Sequence, residues 1–268
     1  YDFGPAHTEE GATGWFDTPG LMEEVRKLRV RADEVIQTPY APQADVLMVY
    51  DTECFYYLSL PESPDYTSYA SVNRSQTLIH HAGVMADSVL LQDLPKAELD
   101  RYKVVMFMQT PLLNEEQIAF IRDRVATDGR TVVWSYAPGY TDGESLSLDR
   151  VCEATGFRLA PMSLDGETAT IEITSDDLPA VTYPIVETSE NVAPPPYPVD
   201  RKPDPLFAVD DPDAEVLGVF SGGTVPALAR KRHDDCTVWY TSLPPLHSAL
   251  LREICRDAGA HVYVDSDE

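Results

Sequence analysis

The sequence predicts an α/β protein built on a doubly wound, mostly parallel sheet, with antiparallel strands added in its C-terminal half. Three observations carry this expectation. Val46–Tyr50, Lys103–Met108 and Thr131–Trp134 are short, apolar, almost uncharged runs, the pattern of strands buried on both faces. Helical periodicity stands between them with short connections, as repeated β-α-β units require. Beyond residue 168 the pattern changes to alternation, the signature of half-exposed antiparallel strands.

Residues 1 to 17 are rich in glycine and aromatic side chains and show no period. Thr18-Pro19 then opens a helix, with Thr18 as N-cap, proline at the first position and Glu23 and Glu24 towards the positive end. Leu21, Val25, Leu28, Ala32, Val35 and Ile36 fall on one stripe, which needs a partner surface. Thr38–Pro42 stops the helix.

Strand Val46–Tyr50 runs into Asp51-Thr52-Glu53. A helix over Tyr66–Ala82 closes at Gly83, and Ser88–Leu91 gives the second strand. The third, Lys103–Met108, turns at Thr110-Pro111. Asn114 and Gln117 are spaced as a capping box at the head of a helix that turns Ile118, Ile121 and Val125 inward. Gly129 ends it, and Thr131 begins the fourth strand. A helix over Leu148–Ala154 follows.

In the second half, Thr168–Thr174, Glu215–Phe220, Pro226–Arg230 and Cys236–Thr241 read as strands, with Ser221–Thr224 as a hairpin connection. Asn191–Pro205 holds six prolines and is expected to be an extended loop. Leu246–Ala258 is a last helix, and His261–Val264 a terminal strand. No internal repeat is present.

Composition limits the function classes. With 45 acidic against 20 basic residues the net charge is −25, a surface that repels nucleic acid. Only five of the basic residues are lysine, which is compatible with a plain solvated acidic surface and with adaptation to high salt. No run reaches the roughly 18 apolar residues of a membrane span, so no membrane partner is expected. A soluble protein is expected, with the cytoplasm favoured. The chain opens on Tyr1 within apparent structure, and a piece of a larger protein is expected. Cys54, Cys152, Cys236 and Cys255 form no CxxC pair and no zinc-like spacing, so neither metal nor other cofactor is expected.

The fourth strand breaks sharply at Pro138-Gly139. In open α/β sheets, ligands and catalytic groups gather at the carboxyl ends of strands. Related folds place a nucleophile on such a bend within Gly-x-Ser-x-Gly or Gly-x-Cys-x-Gly. This bend reads Trp134-Ser135-Tyr136-Ala137-Pro138-Gly139, with the flanking glycine missing and a tyrosine in the elbow. Acyl transfer needs a nucleophile held by a base beside an oxyanion site. Ser135 precedes the bend, Cys54 follows the first strand, and no histidine stands in a recognisable motif. No residue is assigned a catalytic role.

Asp51 and Glu53 lie beyond a buried strand on the crevice side. Two carboxylates there can act as general acid and base, hydrogen-bond sugar hydroxyls, or be a coincidence of an acidic chain. Tyr56, Tyr57, Tyr136 and Tyr140 fall near the same edge, and their amphipathic rings suit a sugar cleft or a protein interface. Asp51, Glu53, Tyr56, Tyr136 and Tyr140 are therefore the candidate cleft or interface residues. Asp210-Asp211-Pro212-Asp213 lacks the glycine and spacing of a calcium loop and reads as a solvated turn.

The segments Ala44–Asp51, Tyr102–Phe107 and Gly129–Gly139 resemble the β-galactosidase trimerisation domain, which follows the catalytic (β/α)8 barrel of glycoside hydrolase family 42 and related large hydrolases. Pro226–Arg230, Leu250–Glu253 and Ala260–Asp265 are similar to the closing segment of that group. Gly14–Asp17 with the following helix resembles the end of a preceding barrel. The resemblance divides the chain into 1–43, a barrel tail with linker helix, and 44–268, a flavodoxin-like, class I amidotransferase-like domain without that activity. It further implies packing on a catalytic barrel of the same or a separate chain, homo-oligomers of trimeric kind, and a carbohydrate substrate handled by the parent enzyme. Its catalytic glutamates belong to the barrel. Two other classes stay open: a free-standing hydrolase or amidotransferase using Cys54 or Ser135, and a carbohydrate-binding module.

Overall fold

In a computed structural model, residues 19–37, 43–54, 56, 69–166, 168–184 and 202–264 are described. The chain divides into two compact units, Tyr1–Gln43 and Ala44–Glu268.

The first unit contains helix α1, Pro19–Ile36. Pairs three residues apart stitch its polar face: Glu23 with Arg26, Glu24 with Lys27 at 2.7 Å, and Arg31 with Glu34 at 3.0 Å. Its apolar stripe is solvent-facing, with Val25, Leu28, Val35 and Ile36 all exposed. The expected N-cap, Thr18, lies outside the described residues.

The second unit is organised by a nine-stranded sheet. Strands β1 (Val46–Tyr50), β2 (Ala86–Leu90), β3 (Val104–Gln109) and β4 (Arg130–Ser135) occur in the order β2-β1-β3-β4 and pair in parallel. Two strands form a ladder of their own, β5 (Leu159–Met162) with β8 (Leu206–Val209). The large sheet continues through β11 (Cys236–Thr241), parallel to β4, and then through antiparallel β10 (Pro226–Arg232), β9 (Glu215–Phe220), β6 (Ile171–Ile173) and β7 (Thr182–Tyr183). The α/β class and the split between a parallel half and an antiparallel half are those expected.

Alternation along the central strands explains how they are buried. Val46, Met48, Val104, Met106, Val133 and Trp239 face one core, covered by helices α2 (Ser75–His81) and α5 (Ser248–Asp257) through Leu78, Ile79, Leu251 and Ile254. Leu47, Val49, Phe107, Val132, Trp134 and Tyr240 face the other. There α3 (Glu115–Phe120) and α4 (Leu148–Thr155) cover them. Each fully buried aliphatic or aromatic side chain contributes roughly 1.5–3 kcal/mol over leaving it in water. Phe107 and Trp134 stack across β3 and β4 with ring centres 4.1 Å apart.

Local chemistry sets the element ends. At α3 the capping box is complete, with Gln117 N–H donating to Asn114 Oδ1 and Asn114 N–H to Gln117 Oε1, both at 2.9 Å. The helix widens into a π turn over Ile121–Val125. The buried Arg130 side chain then donates to the carbonyls of Arg124 and Val125 at the end of that turn, and to that of Thr127 just beyond it.

Several expectations are corrected. The helix expected over Tyr66–Ala82 is, within the described residues, a π turn Tyr69–Arg74 running into α2. Thr168–Thr174 yields only the three-residue β6. His261–Val264 is not a strand; a single bridge joins Val262 to Val84. Asp211 is no solvated turn residue: it is buried, with Lys231 at 2.8 Å and Arg158 at 3.6 Å. Tyr57 and residues 191–201 of the proline-rich stretch lie outside the described residues.

Candidate functional site

Two features sit at the carboxyl ends of the parallel strands. One is the bend after β4; the other is a cleft where the strand order reverses, between β1 and β3.

The bend has the geometry of a nucleophile elbow. Tyr136 N–H continues the ladder by donating to Thr241 O at 2.8 Å, and the residue itself adopts φ +65°. That left-handed conformation is costly for a bulky side chain and persists only where the surroundings enforce it. Tyr240 supplies part of that enforcement, its buried hydroxyl donating to Tyr136 O. Gly139, at φ +69°, donates to Thr110 O at 2.9 Å, which closes the turn. The side chain held there is not a nucleophile. Tyr136 is 7% exposed, its ring lies 5.7 Å from that of Phe207, and its hydroxyl donates to Pro205 O at 2.6 Å. Burial pushes the phenol well above its ordinary pKa, so no phenolate forms. Ser135 remains within β4, paired with Thr241.

Cys54 is fully buried and its thiol donates to the backbone carbonyl of Asp51. Burial also pushes the Cys255 thiol up to about 12, and the Cys236 thiol upward with help from Asp235. All four cysteines are free thiols. Cys54, Cys236 and Cys255 are buried, whereas a reactive thiolate needs access to solvent.

The cleft has a volume of about 440 Å³. Asp51 and Glu53 reach it from the turn after β1, Gln92 from the turn after β2, Asn114 and Gln117 from the head of α3, and Asp142 from the segment after β4. Asp51 is 5% exposed, and its two carboxylate oxygens accept from the backbone N–H groups of Glu53 and Cys54, each at 3.1 Å. Burial, reinforced by the charge of Glu53, raises its pKa against the pull of those bonds. Asp142 is the opposite case. Backbone N–H bonds from Glu144 and Ser145, together with Arg150, hold its carboxyl at about 2. Among the described residues no lysine or arginine lines the cleft. A second groove of about 300 Å³ shares Gln92, Asn114 and Gln117 and adds Leu94, Pro95 and Phe120.

Of the sequence candidates, Asp51 and Glu53 come together in the cleft. Tyr56 is 87% exposed, and Tyr140 packs edge-on against Phe207 at 5.1 Å. Tyr136 and Tyr140 do not line the cleft. Tyr136, expected at a cleft or interface, is interior, because Phe207 and Pro205 arrive from 70 residues away to cover it. Gln92, Asn114, Gln117 and Asp142 were not among the candidates; the capping-box spacing pointed to the helix head but not to what it faces. Among the described residues no group of three or more His, Cys, Asp or Glu could hold a metal ion, and no helix is long and apolar enough to cross a membrane.

No protein-family model and no curated protein matches the chain. Solved structures do. The β-galactosidase from Bacillus circulans sp. alkalophilus superposes with a TM-score of 0.67 at 16% identity, over 94% of this chain and 37% of that one. A catalytic mutant of Gan42B, a GH42 β-galactosidase from G. stearothermophilus, gives 0.60 at 15%, over 90% of this chain and 33% of its own. The polyextremophilic β-galactosidase from the Antarctic haloarchaeon Halorubrum lacusprofundi gives 0.56 at 17%, over 85% and 33%. The chain therefore shares the fold of one part of these enzymes and spans about a third of their length.

Proposed function

We propose that this chain is a non-catalytic domain of a glycoside hydrolase of the family 42 kind, which completes the substrate cleft of a catalytic barrel and mediates assembly of the enzyme. The observation that carries the proposal is the elbow at Tyr136. The bend that would present a nucleophile holds a buried phenol whose hydroxyl is committed to Pro205. The fold shared with a third of several β-galactosidases supports the same reading. So does the arrangement β2-β1-β3-β4-β11, which we assign to the flavodoxin-like, class I amidotransferase-like group. Residues 1–43 are read as a barrel tail with its linker helix, whose apolar stripe would be covered in the assembled enzyme. Asp51, Glu53, Tyr56 and Tyr140 are read as lying towards that assembly. The net charge of −25 is read as adaptation to high salt.

Sedimentation velocity of the 268-residue chain tests the assembly role. A homo-oligomer, of trimeric size in the simplest case, is expected. A monomer at every concentration, with no complex formed on adding a family 42 barrel, contradicts it.

A further inference from the structure

The geometry points to the cleft between the carboxyl ends of β1 and β3 as a binding site for a neutral polyhydroxylated ligand of monosaccharide size. It rests on the hydrogen-bonding groups that the fold leaves available there, and it stands whether or not the chain serves as an accessory domain.

The capping box fixes the donors. Asn114 Oδ1 accepts from Gln117 N–H, and Gln117 Oε1 from Asn114 N–H. Both carboxamide oxygens are engaged, so each side chain has its NH2 group left to offer. The acceptors come from the turn that follows β1. Each oxygen of Asp51 takes one backbone N–H, which leaves further lone-pair capacity, and Glu53 lends an exposed carboxylate. The site thus sets amide donors against carboxylate acceptors, with no cation in the lining among the described residues.

That combination discriminates between ligand classes. An anion meets the carboxylates of Asp51 and Glu53, and the nearby guanidinium of Arg150 is already paired with Asp142. An ammonium group suits the carboxylates, but it only donates, so it leaves the amide N–H groups facing a positive charge. A hydroxyl both donates and accepts, and neighbouring hydroxyls on one carbon framework satisfy both halves at once. The adjoining groove supplies Leu94, Pro95 and Phe120 for the C–H face of such a molecule. A volume of about 440 Å³ lies within the range of small-molecule sites. Its place at the reversal of strand order is where open α/β sheets bind ligands.

The test is an NMR titration of the 15N-labelled chain with galactose, glucose and myo-inositol, carried into the high-millimolar range. Benzylamine and glucose 6-phosphate serve as the cationic and anionic comparisons. The side-chain NH2 signals of Asn114 and Gln117 are expected to move with at least one uncharged compound and with neither charged one. Glu53→Ala, at an exposed position outside any helix or strand, leaves the fold intact and is expected to weaken binding about tenfold, the loss of one hydrogen bond to a charged group. No movement with any of the three, movement confined to other parts of the molecule, a stronger response to benzylamine or the phosphate, or an unchanged affinity in Glu53→Ala each overturns the assignment.

Discussion

The hydroxyl of Tyr136 donates to the backbone carbonyl of Pro205 at 2.6 Å, tying the bend after β4 to the segment that leads into β8. One side chain therefore plugs the position that a nucleophile would occupy and anchors a distant segment. Tyr136→Phe removes the hydrogen bond and keeps the ring, and is expected to cost about 1 kcal/mol. Tyr136→Ala also removes the contact with Phe207 and opens a cavity, for roughly 3–5 kcal/mol. Urea unfolding of the two variants measures the difference; equal losses would show that the ring contributes nothing.

The last described residues are latched to Gly83. Tyr263 N–H donates to Gly83 O at 2.7 Å, and a Cβ at residue 83 would stand 1.9 Å from Val264 O. Gly83 also sits at φ +76°, where any side chain is strained. Gly83→Ala is expected to release residues 261–264 and to cost more than the roughly 1 kcal/mol that such a change gains at a permissive site. Faster hydrogen exchange at the Tyr263 amide reports the release; unchanged protection would show that the latch is slack.

Two buried carboxyls give opposite pH dependences. Burial raises Asp211, but bonds from Lys231 and from the Arg158 and Asp213 amides more than reverse this and leave it below 3.8. A depressed pKa contributes stability above pH 3.8 that is lost as pH falls through the folded value. Burial leaves Asp51 above 3.8, so its contribution is present below pH 3.8 and lost as pH rises through the folded value. Asp51→Asn is therefore expected to gain in Tm relative to the parent as pH rises above 3.8, whereas the deficit of Lys231→Met is expected to be full above pH 3.8 and to shrink as pH falls below it. Melting curves on both sides of pH 3.8 check both signs.

A net charge of −25 repels itself, and salt screens the repulsion. Tm is expected to rise steadily with KCl into the molar range. A Tm that is flat or falling with KCl would contradict the high-salt reading.

The parallel half of the fold was legible in the sequence because β1, β3 and β4 are buried on both faces, which leaves apolar runs such as Val46–Tyr50 with nothing to mask them. The α3 cap was legible because the side chains of Asn114 and Gln117 bond to each other's backbone within four consecutive residues. The β5–β8 ladder was not: Leu159–Met162 contains Pro161, and its partner begins 44 residues after Met162, behind a proline-rich stretch. The site was half legible for the same reason. Asp51 and Glu53 follow a strand that can be read locally, whereas Gln92, Gln117 and Asp142 join them only through the order of strands, which no local pattern encodes.

Whether this chain performs chemistry of its own is tested most directly by assaying the purified protein on nitrophenyl β-galactoside and nitrophenyl acetate beside its Ser135→Ala, Tyr136→Phe and Cys54→Ala variants. The expected result is the uncatalysed background rate for all four proteins with both substrates. Turnover above background that disappears with any one of the three substitutions would contradict it.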